Sequence, residues 1–281
     1  MMTVVDVLKR TEGFLRDKGV PSPRLDAELI LGHHLGLDRV QLYLEFDRPL
    51  HEDELAPMRD HVKRRGEREP LAWVLGTKSF WTLDLAAHKG VLVPRPDTET
   101  LVEAALALIP EEGECFVADV GCGTGAVGLA LASHRPGVKL FSTDISDAAL
   151  LCTRDNVARL DLGSRVAVLK GALLEPVPDG RPIDIVVSNP PYIATADIDV
   201  LAPEIRDHEP RAALDGGADG LDIYRQLIPA AASRARTAVL VEVGVDQAEA
   251  VTQMMADAGL VDVETHSDLA GHPRVVQGMR P

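Results

Sequence analysis

From residue 97 onward, apolar runs of strand length alternate with helical patterns, and no other feature of the chain narrows its fold as far. The spacing predicts strands near 115–120, 138–143, 165–169, 183–188 and 237–243, and two last strands near 260–265 and 273–279. Helices are predicted over 97–109, 124–134, 146–160, 221–235 and 246–258. Strands that alternate with helices pair in parallel and carry helices on both faces, because each crossover returns over the sheet. The expected fold class is therefore α/β with a mostly parallel sheet.

Two loops of this pattern carry chemistry. The first is Asp119-Val120-Gly121-Cys122-Gly123-Thr124-Gly125, between a strand pattern and a helix pattern. Its glycines permit a tight turn and let a ligand approach the backbone, while the helix start offers free N–H groups. Asp144 ends the next apolar run, at about the spacing where a carboxylate takes ribose hydroxyls. The GxGxG spacing differs from the GxGxxG of pyrophosphate binders, which favours a nucleoside ligand, S-adenosylmethionine. Cys122 reads as a small filler in this loop.

The second is Asn189-Pro190-Pro191-Tyr192, directly after the apolar run 183–187. Ligands of open α/β sheets sit at such strand ends. The tetrapeptide suits methylation of a planar nitrogen, whose delocalised lone pair is a poor nucleophile. The Asn189 side-chain oxygen and the Pro190 carbonyl can accept both N–H hydrogens and aim the lone pair at an electrophile. Two prolines stiffen the loop and hold those acceptors, and Tyr192 offers a flat face to the substrate group. The plainer alternative is a proline-rich turn with Asn as an ordinary turn residue. The stretch 193–220 shows no clear element and is expected to cover the site, since a loop this long is usually functional.

The first 76 residues read as helical throughout, with Thr3 as an N-cap and Gly36 closing a second helix. Residues 77–96 change character, with alternation over 80–85 followed by 90–93, and predict a β-hairpin linker ending at Pro94-Arg95-Pro96. The expected domains are 1–76, a small helical bundle; 77–96, the linker; and 97–281, the α/β domain.

The net charge of −15 disfavours strong binding to nucleic acid, which needs basic surface. One basic run, 61–68, reads as a solvated helix face, with a docking patch for an acidic partner as the alternative. Three cysteines lack CxxC spacing and give neither a disulfide framework nor a zinc site, as in a reducing cytosol. The histidines show no ligand spacing. No run of about 18 apolar residues appears, and no leader pattern opens the chain, so neither a membrane span nor a signal peptide is expected.

The two loops, with 75–81, 93–99, 208–221, Glu242-Val243-Gly244 and Arg274-Val275-Val276, resemble the bacterial glutamine methyltransferases that modify peptide-chain release factors. The resemblance is specific over roughly residues 70–281 and extends to the helical part in size and character. It implies a class I S-adenosylmethionine-dependent methyltransferase fold, Rossmann-like with a mostly parallel seven-stranded sheet. It also implies methyl transfer to the side-chain amide nitrogen of the glutamine in a release factor's Gly-Gly-Gln loop, leaving S-adenosylhomocysteine. Gly121 to Gly125, with Asp119, Cys122 and Thr124, would carry the cofactor's methionine part, Asp144 its ribose, and Leu173 its adenine. Asn189, Pro190 and Tyr192 would act on the substrate amide, and Pro191, Phe80 and Pro94 would wall the glutamine pocket. The helical domain would help to hold the protein substrate. Ala172 stands where the family often has an acid for the adenine amino group. A cytoplasmic monomer that binds neither stable nucleic acid nor membrane is expected. The alternatives are glutamine methylation of a large-subunit ribosomal protein, adenine amino-methylation of DNA, and a non-catalytic cofactor-binding adaptor.

Overall fold

The computed structural model describes residues 2–281, which form two compact units. One holds the N-terminal residues to Gly76 together with residues 202–208; the other holds residues 77–201 and 209–281.

The first unit is helical: α1 (Val4–Asp17), α2 (Pro23–Leu35), α3 (Arg39–Leu44), α4 (Glu52–Gly66) and α5 (Leu71–Leu75). Its boundaries follow from local chemistry. Thr3 and Asp6 cap α1 reciprocally, as Asp38 and Gln41 cap α3, and Gly36 ends α2 in the left-handed conformation. Val4, Leu8, Leu15, Leu31 and Leu42 form its core. One correction concerns strands: β1 (Met2–Thr3) pairs antiparallel with β2 (Pro49–Leu50), a contact too short to leave a pattern in the sequence.

A second correction concerns the basic run. Arg65 is 5 % exposed, donates to Asp26 at 2.6 Å and pairs with Glu204 at 3.0 Å. Arg68 holds the same Glu204 at 2.6 Å, and Arg64 is bidentate to Glu69. Arg65 and Arg68 thus staple residues 202–208 into the helical unit, and Arg64 is tied to Glu69, rather than the run forming a solvated face. His208 adds a contact to the Glu67 carbonyl at 3.2 Å.

The second unit opens with a hairpin, β3 (Thr77–Phe80) and β4 (Leu83–Ala86), turning at Trp81 and Thr82. The hairpin lies within the predicted linker, in its first half, and residues 90–93 form no strand; Val91 and Val93 are buried as loop residues instead. Then come α6 (Glu99–Leu108), β5 (Cys115–Val120), α7 (Ala126–His134), β6 (Val138–Asp144), α8 (Asp147–Arg159), β7 (Val166–Lys170) and β8 (Ile183–Ser188). After α9 (Pro203–Arg206), which packs with the helical unit, follow α10 (Asp222–Arg234), β9 (Ala235–Glu242), α11 (Ala248–Asp257), β10 (Val261–Ser267) and β11 (Pro273–Met279).

The seven-stranded sheet runs β10-β11-β9-β8-β5-β6-β7, with β11 antiparallel to both its neighbours, β10 and β9, and the other pairs parallel. Alternate residues of β5 face opposite cores: Val117 packs with α6 and α7, Ala118 and Val120 with α10 and α11. Burial on both faces explains the predominantly apolar runs, each buried Val or Leu contributing roughly 1.5–3 kcal/mol. The chain winds outward from β5 through β6 and β7, then returns to β8 on the other side of β5. The carboxyl ends of β5, β6 and β8 therefore meet at the switch point where such sheets bind ligands. The 193–220 segment is not structureless: it contains 3-10 turns at Thr195–Val200 and Arg211–Ala213 besides α9.

Candidate active site

The glycine-rich loop leaves β5 and is pinned to β6. The amides of Gly121 and Cys122 donate to the Thr143 carbonyl at 2.9 and 3.0 Å. Gly121, Gly123 and Gly125 all have positive φ, the backbone that only glycine adopts without strain. A side chain at Gly121 or Gly123 would point into open space, so the loop presents bare backbone. Thr153 Oγ1 donates to the Gly123 carbonyl at 2.9 Å, and Asn156 Nδ2 to that of Thr124 at 2.9 Å. Thr124 and Cys122 are buried; burial pushes the Cys122 thiol well up, which keeps it protonated and unreactive.

Asp144 stands at the end of β6 and orders the loop: its carboxylate accepts from Gly123 N at 3.0 Å and Ser146 N at 2.8 Å. A carboxylate has about four acceptor positions, so ribose hydroxyls can still be taken. Asp119 is 2 % exposed and points inward, accepting from Gly128 N at 3.0 Å, and burial raises its carboxyl to about 7. Leu173 has φ +48° and is half-buried, and its carbonyl accepts from Thr143 Oγ1 at 2.7 Å.

Asn189 follows β8 directly, next to β5 on one side and β9 on the other. Its Nδ2 donates to Thr98 Oγ1 at 3.1 Å. No donor among the described residues reaches Asn189 Oδ1 or the Pro190 carbonyl. Gln247 Nε2 donates to the Tyr192 carbonyl at 2.8 Å, and the Tyr192 phenol lies 3.4 Å from Glu242 Oε1. Burial pushes that phenol up to about 12. The long segment rests on the tetrapeptide: Ile193 and Gly216 exchange backbone bonds with the chain across from them, and Gly220 lies against the Tyr192 carbonyl. Glu209, raised by burial, is held by Arg95 at 2.6 Å.

Pro94 is buried beside this segment's anchor Arg95, whereas Phe80 lies in the hydrophobic core with Leu85 and Leu101. Thr98, Gln247 and the role of Glu242 escape a reading of the sequence. Thr98 lies inside the 93–99 segment, and Glu242 signals itself only as an acid ending an apolar strand. Among the described residues no group of His, Cys, Asp and Glu could hold a metal ion. None of the helices described is long and apolar enough to cross a membrane.

Chemically, the strand ends combine a bare glycine loop at a helix start, a carboxylate on a neighbouring strand, and a stiff pair of free acceptors. That set fits a nucleoside cofactor beside a planar N–H substrate.

Residues 6–76 match the PrmC N-terminal domain family and residues 97–217 the methyltransferase small domain family. The chain is 45 % identical over 278 residues to the release factor glutamine methyltransferase of Geobacter sulfurreducens, covering 98 % of this chain and 96 % of that protein. It is 40 % identical over 281 residues to that of Caulobacter vibrioides, covering 99 % and 97 %. Its fold resembles the N-terminal domain of human METTL16 solved in complex with SAH, with a TM-score of 0.51 at 14 % identity, covering 77 % of this chain and 82 % of that one.

Proposed function

The chain belongs to the release factor glutamine methyltransferase family, and we propose that it methylates the side-chain amide nitrogen of the glutamine in a release factor's Gly-Gly-Gln loop. The observation that carries this reading is the pair of free acceptors, Asn189 Oδ1 and the Pro190 carbonyl, on a loop stiffened by two prolines. A primary amide offers two N–H hydrogens, and two acceptors are what such a group needs. The DNA and ribosomal-protein alternatives are not favoured by these relatives.

S-adenosylmethionine, when bound, supplies the electrophilic methyl group. The class I methyltransferase fold supports this cofactor, and so does the fit of the site: the glycine loop leaves space where side chains would stand, and Asp144 ends the adjacent strand. Gly121 to Gly125 would hold its methionine part, Asp144 its ribose and Leu173 its adenine. Asn189 and Pro190 orient the substrate nitrogen, so that its lone pair faces the methyl. Orientation and exclusion of water then supply most of the rate, the acceptor dipoles offset positive charge growing on nitrogen, and one amide proton leaves late, to Asn189 or water. Tyr192 packs beside the substrate group. The helical unit would help to dock the protein substrate, and a substrate that acts in translation supports a cytoplasmic location.

The test is transfer of labelled methyl to an unmodified release factor, its Gly-Gly-Gln→Gly-Gly-Ala variant, the ribosomal protein and duplex DNA, with Asn189→Ala as the enzyme control. Label on the release factor alone, lost with either substitution, is the expected result. Label on the ribosomal protein or DNA instead would overturn the reading.

A further inference from the structure

Glu242 ends β9, beside the end of β8, and is 1 % exposed, yet nothing in the transfer described above uses it. Its Oε1 meets the Tyr192 phenol at a long 3.4 Å. Its Oε2 is enclosed with no hydrogen-bond partner among the described residues. An enclosed carboxyl oxygen without a donor costs free energy, so the fold retains it at a loss.

The groups facing this carboxyl come from four places. Asp97 and Thr98 come from the turn before α6, Tyr192 from the tetrapeptide, Arg274 from β11 and Tyr224 from α10. Two of them are already engaged. The Tyr224 hydroxyl donates to the backbone carbonyl of Glu242 at 2.7 Å, and Arg274 is bound by Asp97 at 3.0 Å and Asp268 at 3.1 Å. Thr98 differs: its Oγ1 accepts from Asn189 Nδ2, so its own hydrogen remains to be placed.

A hydroxyl can give one hydrogen and accept others, so Thr98 can serve either atom of a carboxamide. The group behind it decides which. An ionised carboxylate only accepts. Thr98 then turns its hydrogen to Glu242, accepts from Asn189 Nδ2, and leaves Oδ1 facing the substrate. A protonated carboxyl can donate to Thr98 instead. The Thr98 hydrogen then turns to Asn189 and favours the flipped carboxamide, which shows N–H groups to a substrate that also offers N–H groups.

On the reading that Asn189 Oδ1 accepts a substrate amide hydrogen, we infer that Glu242 is a positioning residue whose ionised form, acting through Thr98, fixes Asn189 in its accepting orientation. The enzyme is then competent when Glu242 has lost its proton and impaired when it holds one. Burial pushes this carboxyl up to about 7, against the pull of Thr98, Arg274 and Tyr192, so the two forms exchange near neutral pH.

The experiment is single-turnover methyl transfer from saturating labelled S-adenosylmethionine to an unmodified release factor, from about pH 6 to about pH 9. The full chain is compared with Glu242→Gln, Thr98→Val and Thr98→Ser, each first checked for cofactor binding by calorimetry. The wild-type rate should rise by about tenfold through one ionisation near 7. Glu242→Gln and Thr98→Val should flatten that rise without weakening binding of the release factor, and Thr98→Ser should restore it. If Glu242→Gln fails to bind cofactor, the Thr98→Val and Thr98→Ser pair decides. A rise of unchanged size and midpoint in Glu242→Gln or Thr98→Val, or a flat wild-type profile with normal labelling, overturns the inference while leaving the function standing. Absence of label from the wild type at every pH overturns the function and the inference together.

Discussion

Gln247 donates its side-chain amide to the Tyr192 carbonyl at 2.8 Å, and its Oε1 in turn accepts from Gly244 N at 3.1 Å. The turn between β9 and α11 thereby grips the far end of the tetrapeptide whose near end emerges from β8. Two prolines stiffen the loop, but stiffness fixes a position only when both ends are held. Gln247→Ala should therefore lower the rate of methyl transfer by on the order of tenfold, about 1.4 kcal/mol in the barrier. Cofactor affinity should be unaffected, because the bond lies away from the glycine loop. Steady-state labelling beside calorimetric titration of the cofactor checks both halves.

Gly220 has φ +75°, and a Cβ there would stand 2.3 Å from the Tyr192 carbonyl oxygen and 2.5 Å from Gln247 Nε2. Backbone cannot step aside as a side-chain tip can. Gly220→Ala should cost roughly 2–4 kcal/mol of stability through strain and close contact, and should displace the tetrapeptide. Denaturant unfolding should show the loss, with activity falling further than stability alone explains. A variant as stable and active as the parent would mean the segment lies elsewhere in solution.

Asp119 is raised by burial from 3.8 to about 7. A carboxyl whose folded value lies above its unfolded one keeps its proton longer in the native state. Its charged form is the one burial penalises, so stability is full below about pH 4 and falls as pH rises towards 7. The penalty is on the order of 4 kcal/mol at high pH. Asp119→Asn keeps an acceptor for Gly128 N and carries no charge. The stability of Asp119→Asn relative to wild type should therefore climb by about 3 kcal/mol between about pH 5 and about pH 8. Urea midpoints at several pH values give this difference, and an unchanging difference would refute it.

Arg65 lies buried between Asp26 and Glu204. Removing it leaves Asp26 enclosed without its cation, a loss typically of about 3–5 kcal/mol. Glu204→Ala should cost less, since Arg65 keeps Asp26 and the Glu69 carbonyl, and Arg68 is partly open to solvent. Thermal melts of the two variants should rank in that order.

The sheet was legible because its strands are buried on both faces, which turns 183–187 and 115–120 into apolar runs broken only by Asp184 and Asp119. The family relation was legible because Asn189 to Tyr192 and Gly121 to Gly125 are contiguous motifs. What escaped has the opposite character. The β1–β2 pairing is two residues deep and leaves no period to detect. The hairpin was legible within 77–96, but its exact strands were not, because its turn uses Trp81 at φ +55°, where a glycine would have marked it. The basic run was misjudged because charge counting sees Arg65 and not Glu204, which lies far along the chain. Thr98 reaches Asn189, and Gln247 reaches Tyr192, only because the sheet order brings their strand ends together. Such contacts are properties of topology, and no local window contains them.

The helical unit is not contiguous in the chain: residues 202–208 complete it, and Glu204 there closes the ion pairs of Arg65 and Arg68. On the ribosome, the first 76 residues emerge long before their last element does. The bundle must wait, with Arg65 paired only to Asp26, until more than two-thirds of the polypeptide has been synthesised. Its final packing then coincides with the emergence of the segment that follows the tetrapeptide. Assembly of the first unit and shaping of the second are thus timed by the same stretch of chain, and truncation at residue 76 would yield a bundle missing a wall.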